Sequence, residues 1–252
     1  MRRHPDWLRV SIAGGETYRK VKNTLRERDL HTICEEAKCP NRGECFNRGT
    51  ATFLILGDIC TRHCLYCAVR SGKPKPVDTL ESKKVAEAVN ILGLKYAVIT
   101  SVTRDDLQDG GAEIFYETIM EVKNNNPSCV IEVLIPDFRG NDEAIHRIIE
   151  AKPDVINHNI EVVEELFPKM RPQGNYNLSL NLLQKIKEID SNIITKSGFM
   201  IGLGEDMDQI IKTMQDLKDR DVDVITIGQY LQPSIHHTPI MRYYTPYEFR
   251  YL

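Results

Sequence analysis

The chain has 252 residues, 41% of them hydrophobic and 27% charged, with a formal net charge of −3. That length can bury a full core in one domain and suits an α/β barrel. The charge points to neither nucleic acid nor a membrane surface, and no stretch approaches the ~20 apolar residues of a membrane span.

The start, Met1 to Leu8, has neither the apolar core of a signal peptide nor the Ser/Arg-rich run of a transit peptide. The expected setting is a reducing cytosol, where seven cysteines argue for metal or catalysis rather than disulfides. Residues 1–50 hold 11 Lys and Arg against seven Asp and Glu, show no sustained period and read as an irregular N-terminal extension. Within it Cys34, Cys39 and Cys45 stand at the spacing C-x4-C-x5-C. Taken alone, that triplet fits zinc and an iron–sulfur cluster equally. A second triplet in the same short span favours a second cluster.

From residue 52 short β-branched runs alternate with amphipathic stretches. Strands are expected at Thr52–Gly57, Tyr96–Val102, Val130–Ile135, Asp154–Ile160, Ile194–Ile201 and Val222–Leu231. Helical patterns lie near 81–93, 111–126, 141–151, 161–168, 177–190 and 206–220. This predicts right-handed βαβ units and a parallel sheet over 51–252, either a partial barrel or a doubly wound sheet. Polar residues gather where strands end, the usual place for an active site in parallel α/β folds. They include Thr100 and Ser101, Asn157 and Asn159, Gly202 and Gly204, and Gln229.

Cys60, Cys64 and Cys67 follow the first of these strands at the spacing C-x3-C-x2-C. Three thiolates hold three irons of a [4Fe–4S] cluster and leave the fourth open to a small chelating ligand. A zinc site using His63 is the alternative for the same residues. Cys129 reads as a small buried hydrophobe, and His236 and His237 as surface or capping residues rather than metal ligands.

The triplet with Tyr66 before its last cysteine resembles the signature of radical S-adenosylmethionine enzymes. The surrounding segments are similar to the lipoyl synthase family over nearly the whole chain. They include His31 to Asn41, Gly43-Glu44-Cys45, Gly49 to Gly57, Arg104 to Leu107, Asp109 to Ala112, Pro136 to Gly140, Asn157 to Glu161, Thr195 to Gly198, Gly202 to Glu205 and Thr226 to Leu231.

This resemblance implies a partial (β/α)6 TIM-like barrel with an N-terminal cluster-binding extension. It implies two [4Fe–4S] clusters, a catalytic one on Cys60, Cys64 and Cys67 and an auxiliary sulfur donor on Cys34, Cys39 and Cys45. S-adenosylmethionine would be the cosubstrate. Thr100, Ser101 and Asp105 would hold its amine, and Lys196 its carboxylate. Asn157, Asn159 and Glu161 would hold the ribose, Gly202 and Gly204 would let the backbone approach the adenine, and Gln229 would close the pocket, with Tyr66 beside the cluster. The implied partners are an octanoylated lipoyl-carrier domain of the H protein or E2 subunit type and a low-potential donor such as ferredoxin or flavodoxin.

The family pattern continues to an Arg-Ser-Ser segment whose serine is the remaining auxiliary-cluster ligand, whereas this sequence stops at Leu252. Val162 and Leu178 stand where the family often has Thr and Arg, and Glu165 replaces a common Arg. The competing readings are another two-cluster radical enzyme, a truncated non-catalytic iron–sulfur protein and a zinc-stabilised protein.

Overall fold

Strand β2 and its parallel partners organise the first part of the chain. The computed structural model describes residues 4–8 and 14–252; Met1–Arg3 and Arg9–Ala13, inside the expected extension, lie outside the described residues. Backbone contacts divide the chain into two units, one of Val10–Arg62 and Val69–Asn157, the other of Met1–Arg9, His63–Ala68 and His158–Leu252.

The first unit begins with α1 (Glu16–Glu27), β1 (His31–Thr32), α2 (Ile33–Glu36) and α3 (Arg42–Asn47). The extension is therefore more regular than its composition indicates. The twelve residues of α1 carry only three apolar side chains, Tyr18, Val21 and Leu25, so the stripe does not stand out as a period. Thr32 caps α2, its Oγ1 accepting from the Glu35 amide at 3.3 Å.

There follow β2 (Thr52–Ile55), β3 (Ile59–Cys60), β4 (Arg70–Ser71), α4 (Glu81–Leu92), β5 (Tyr96–Ser101), α5 (Ala112–Asn125), β6 (Val130–Leu134), α6 (Asp142–Glu150) and β7 (Val155–Asn157). β1 pairs antiparallel with β2, and β2, β5, β6 and β7 then run parallel in that order. Phe53, Leu54, Ile55, Ile99, Ile131, Val133 and Ile156 are buried, giving the near-continuous apolar runs of strands covered on both faces. The register sets Ile55 beside Ser101, and Leu134 beside both Thr100 and Asn157. The carboxyl ends of four strands thus come into line.

The second unit contains α7 (Phe167–Met170), α8 (Tyr176–Ile189), β8 (Ile194–Ile201), α9 (Met207–Lys218), β9 (Val224–Gln229) and α10 (Pro246–Tyr251). β8 and β9 pair in parallel, with Ile201 beside Gln229. Its core gathers Ile160, Phe167, Leu183, Phe199, Ile210 and Tyr230. The helix expected over 161–168 is instead a 3-10 turn at Glu164–Leu166 followed by α7. Pro168 accounts for the break, because its missing N–H is tolerated only in a first turn. The strand expected at Asp154–Ile160 shortens to Val155–Asn157.

Six strands, β2 and β5 to β9, are each followed along the chain by a helix. The fold is α/β, of the partial (β/α)6 TIM-like type. Among the described residues no helix is long and apolar enough to cross a membrane.

Candidate functional site

The segment carrying Cys60 leaves β2 through Leu56 and Gly57, both in the left-handed region at φ 67° and 88°. It is pinned at once. The Leu56 N–H donates to Glu81 Oε2 at 2.7 Å, and its carbonyl accepts from Arg104 Nη1 at 3.2 Å. Ile59–Cys60 then pairs with Arg70–Ser71, and the Gly72 amide donates to the Cys60 carbonyl at 2.9 Å. Thr61 is tied to Thr103 by its amide at 3.0 Å and its hydroxyl at 2.9 Å.

Arg62 lies beneath this loop with its side chain 5% exposed. Its Nε and Nη2 donate to Asp105 at 2.8 and 2.9 Å, and Nη1 and Nη2 donate to Asp137 at 2.6 Å each. Burial alone pulls the Arg62 pKa down; the bonds to Asp105 and Asp137 carry it above the ordinary arginine value. Arg139 reaches Asp105 at 3.2 Å from the other side. The expected amine ligand Asp105 is therefore engaged in holding the loop.

Two other residues at these strand ends have unanswered atoms. Ser101 Oγ and Asn157 Oδ1 are buried with no hydrogen-bond partner. Asn157 Nδ2 donates to Glu132 Oε1 at 3.0 Å, so its side chain is held in place while its carbonyl oxygen stays unused. Thr100 differs, since its hydroxyl donates to the Leu134 carbonyl at 2.9 Å. Burying an unsatisfied polar atom costs ~1–3 kcal/mol, so such atoms mark places where a ligand is awaited.

Cys64, Tyr66 and Cys67 belong to the second unit. The Leu65 amide donates to the Met170 carbonyl at 3.0 Å, the Thr238 amide donates to the Leu65 carbonyl at 3.1 Å, and His237 Nε2 sits 3.0 Å from the Cys67 carbonyl. Its Nδ1 lies 2.8 Å from Ser234 Oγ, so His237 is a bracket for the loop, as the capping reading expected. Burial pushes the Tyr66 phenol well above its usual value, and Glu161, Cys64 and Cys67 add to the rise. Glu161 occupies the left-handed region at φ 73°, and burial raises its carboxyl pKa against the pull of Arg171 and Asn159. Lys196 stands on β8 beside Val224.

Gly202, expected to let the backbone approach the adenine, and Gln229, expected to close the pocket, lie against each other. A Cβ on Gly202 would land on the Gln229 amide and within 2.6 Å of the Arg242 carbonyl oxygen. Gln229 Nε2 donates to the carbonyls of Ile201, Tyr230 and Arg242, and its Oε1 accepts from the Tyr244 amide at 2.8 Å. The space left by the missing side chain is filled by protein. A Cβ on Gly204, at φ 117°, would lie 3.6 Å from Met241 Cγ, an ordinary contact.

In the N-terminal triplet Cys34 is buried on α2, and Cys45 lies on α3. Cys39 sits between, its amide donating to the Cys34 carbonyl at 3.1 Å. Burial raises the Cys34 thiol pKa, a Thr52 hydrogen bond opposes, and Cys39 and Cys45 raise it further. The three sulfurs thus act on one another. Among the described residues no three His, Cys, Asp or Glu side chains converge where a single metal ion would sit. A cubane cluster does not demand that convergence, since each thiolate takes a different iron. Six cysteines in no disulfide, set in two triplets, and the orphaned Ser101 and Asn157 atoms fit clusters with a bound small molecule.

Comparison with known proteins agrees. The radical SAM superfamily matches residues 54–217, and the N-terminal domain of lipoyl synthase matches residues 1–39. The lipoyl synthase of Rubrobacter xylanophilus is 53% identical over 245 residues, covering 97% of this chain and 76% of that protein. The chain belongs to the lipoyl synthase family. A second lipoyl synthase, from Caldanaerobacter subterraneus subsp. tengcongensis, is 53% identical over 248 residues, covering 98% of this chain and 87% of its own. Methylornithine synthase shares the fold with a TM-score of 0.59 at 15% identity, over 90% of this chain and 67% of that one. SuiB bound to S-adenosylmethionine gives 0.62 at 9% identity, over 84% and 49%.

As a lipoyl synthase family member the chain is a radical SAM enzyme, a class that uses a [4Fe–4S] cluster and S-adenosylmethionine. Several residues that shape its site escaped the sequence reading. Arg62 sits inside the cysteine signature and Asp137 inside Pro136-Asp137-Phe138-Arg139-Gly140, but nothing in either segment says that they pair. Glu81 and Arg104 are likewise ordinary charges until their burial is seen.

Proposed function

We propose that this lipoyl synthase family member inserts two sulfur atoms, at carbons six and eight, into an octanoyl group carried on a lysine of a lipoyl-carrier domain. The observation that carries this reading is the second cysteine triplet, Cys34, Cys39 and Cys45, which stands 15 residues ahead of the radical signature. One cluster suffices to start radical chemistry; a second is what sulfur donation adds.

Cys60, Cys64 and Cys67 would hold the catalytic cluster, and Cys34, Cys39 and Cys45 the auxiliary one. When bound, these clusters and S-adenosylmethionine supply the electron, the hydrogen abstraction and the sulfur that unactivated C–H bonds require. The chain's own groups bind and orient. Ser101 Oγ and Asn157 Oδ1 have free hydrogen-bonding capacity for polar groups of S-adenosylmethionine, with Thr100 backing Ser101. Lys196 pairs with the carboxylate, and Asn159 and Glu161 serve the ribose. Tyr66 and Gly204 offer contact surface to the cofactor. Exclusion of water and oxygen from the site protects the radical. The octanoylated partner is a carrier domain of the H protein or E2 type, and the electron comes from a ferredoxin- or flavodoxin-like protein.

The test is one anaerobic reaction of reconstituted protein with S-adenosylmethionine, a strong reductant and an octanoyl-lysyl peptide. A peptide heavier by two sulfurs, with 5′-deoxyadenosine formed, is the expected result. Deoxyadenosine without sulfur would reject the sulfur-donor role of the N-terminal triplet. Neither product from cluster-loaded protein would reject the enzymatic reading of this chain.

A further inference from the structure

The radical signature contains a residue with a task of its own. Arg62 stands two places after Cys60, and its backbone amide donates to Cys60 Sγ at 3.4 Å. The side chain of the same residue is anchored as well. The anchor is rigid: four hydrogen bonds run from the guanidinium to Asp105, after β5, and Asp137, after β6. The side chains of Asp105 and Asp137 are 9% and 1% exposed. The carboxylates are fixed in turn. The Asp105 amide donates to Thr61 Oγ1 at 3.0 Å, and Asp137 Oδ1 accepts from the Arg139 amide at 3.0 Å. The Asp137 bond braces a turn in which Phe138 and Arg139 both take positive φ, 46° and 53°. Such a conformation costs energy in non-glycine residues and persists where surrounding contacts impose it. The Arg62 carbonyl is held too, accepting from Ser71 Oγ at 2.9 Å.

We propose that Arg62 is a positioning residue: its buried guanidinium, forked onto Asp105 and Asp137, fixes the amide that donates to the Cys60 sulfur. The inference rests on the reading of Cys60 as a cluster ligand. Arg62 touches neither substrate nor cosubstrate in this role; it acts through Cys60. A fork is needed because lysine, a single point charge, cannot serve two carboxylates bidentately. An N–H aimed at a ligating sulfur favours the reduced, more negative cluster and so raises its potential.

Two variants, Arg62→Lys and Asp137→Asn, test the clamp by amide hydrogen exchange on the cluster-free protein. The peptide covering residues 59–63 is expected to exchange about tenfold or more faster in both, with α4 and α5 unchanged. After reconstitution, the midpoint potential of the catalytic cluster is expected to fall below that of the parent. Unchanged exchange at 59–63 in folded variants overturns the proposal. So does global unfolding of both variants, which would make the network a support of the fold alone. Exchange is read without any cluster. A parent protein that protects 59–63 but never loads iron on Cys60, Cys64 and Cys67 would therefore sink the functional reading and leave the clamp standing.

Discussion

Leu56 turns the chain out of β2 between two buried charges, and this makes Glu81 the titratable residue to watch. Glu81 is buried, and that burial raises its carboxyl pKa above the ordinary glutamate value, against the hydrogen bonds from Leu56 and Gly57. A group whose folded pKa is raised favours folding when protonated. Its contribution is complete below the ordinary glutamate pKa and is lost as pH rises through the higher folded value. Glu81→Gln cannot titrate. The difference in melting temperature between Glu81→Gln and the parent should therefore shift in favour of the variant as pH rises through that window. Thermal melts across the acid range measure it, and a difference flat in pH would remove Glu81 from the account.

Among the elements, α9 opens on a full capping box. Asp206 Oδ1 accepts from the Gln209 amide at 2.9 Å, and Gln209 Oε1 accepts from the Asp206 amide at 3.0 Å, forming a capping box. Asp206→Ala should cost about 1 kcal/mol in a urea melt, with Asp206→Asn recovering most of it. An alanine variant as stable as the parent would show that the box adds nothing. Signals of this local kind explain what the sequence reveals. Strand β8 falls on its expected residues, and five helices come within two residues of their patterns, because period and caps are written in consecutive positions. The cysteine triplets are legible for the same reason. The Arg62 network is not, since its partners lie 43 and 75 residues away and only β5 and β6 bring them together. Helix α1 escaped because its twelve residues carry three apolar side chains, Tyr18, Val21 and Leu25, where α9 has five.

For the molecule as a whole, the two triplets make separable demands. Of the six triplet cysteines only Cys34 is buried, on its own short helix and not on one of the parallel strands. Replacing Cys34, Cys39 and Cys45 together by serine should leave far-UV circular dichroism near that of the parent. Reconstituted iron should fall from about eight to about four atoms per chain. Loss of all iron, or of the folded spectrum, would show that the two sites do not load independently. Clusters bound only by the native state also stabilise it, so the loaded parent should melt above the cluster-free one.

Gln229 gives the order of synthesis a meaning. Its side-chain amide ends β9, yet its partners at Arg242 and Tyr244 are added to the chain 13 and 15 residues later. Until they emerge from the ribosome, Gln229 has the Ile201 and Tyr230 carbonyls to donate to, but neither the Arg242 carbonyl nor the Tyr244 amide. By then the first unit, Val10–Arg62 and Val69–Asn157, has been fully synthesised. Domains fold as they are made, so the segment carrying Cys60 gains its support early, while the segment carrying Cys64 and Cys67 gains His237 and Thr238 only about 170 residues after it is made. Nascent chains of this protein should therefore hold the first cysteine of the signature in place well before the other two.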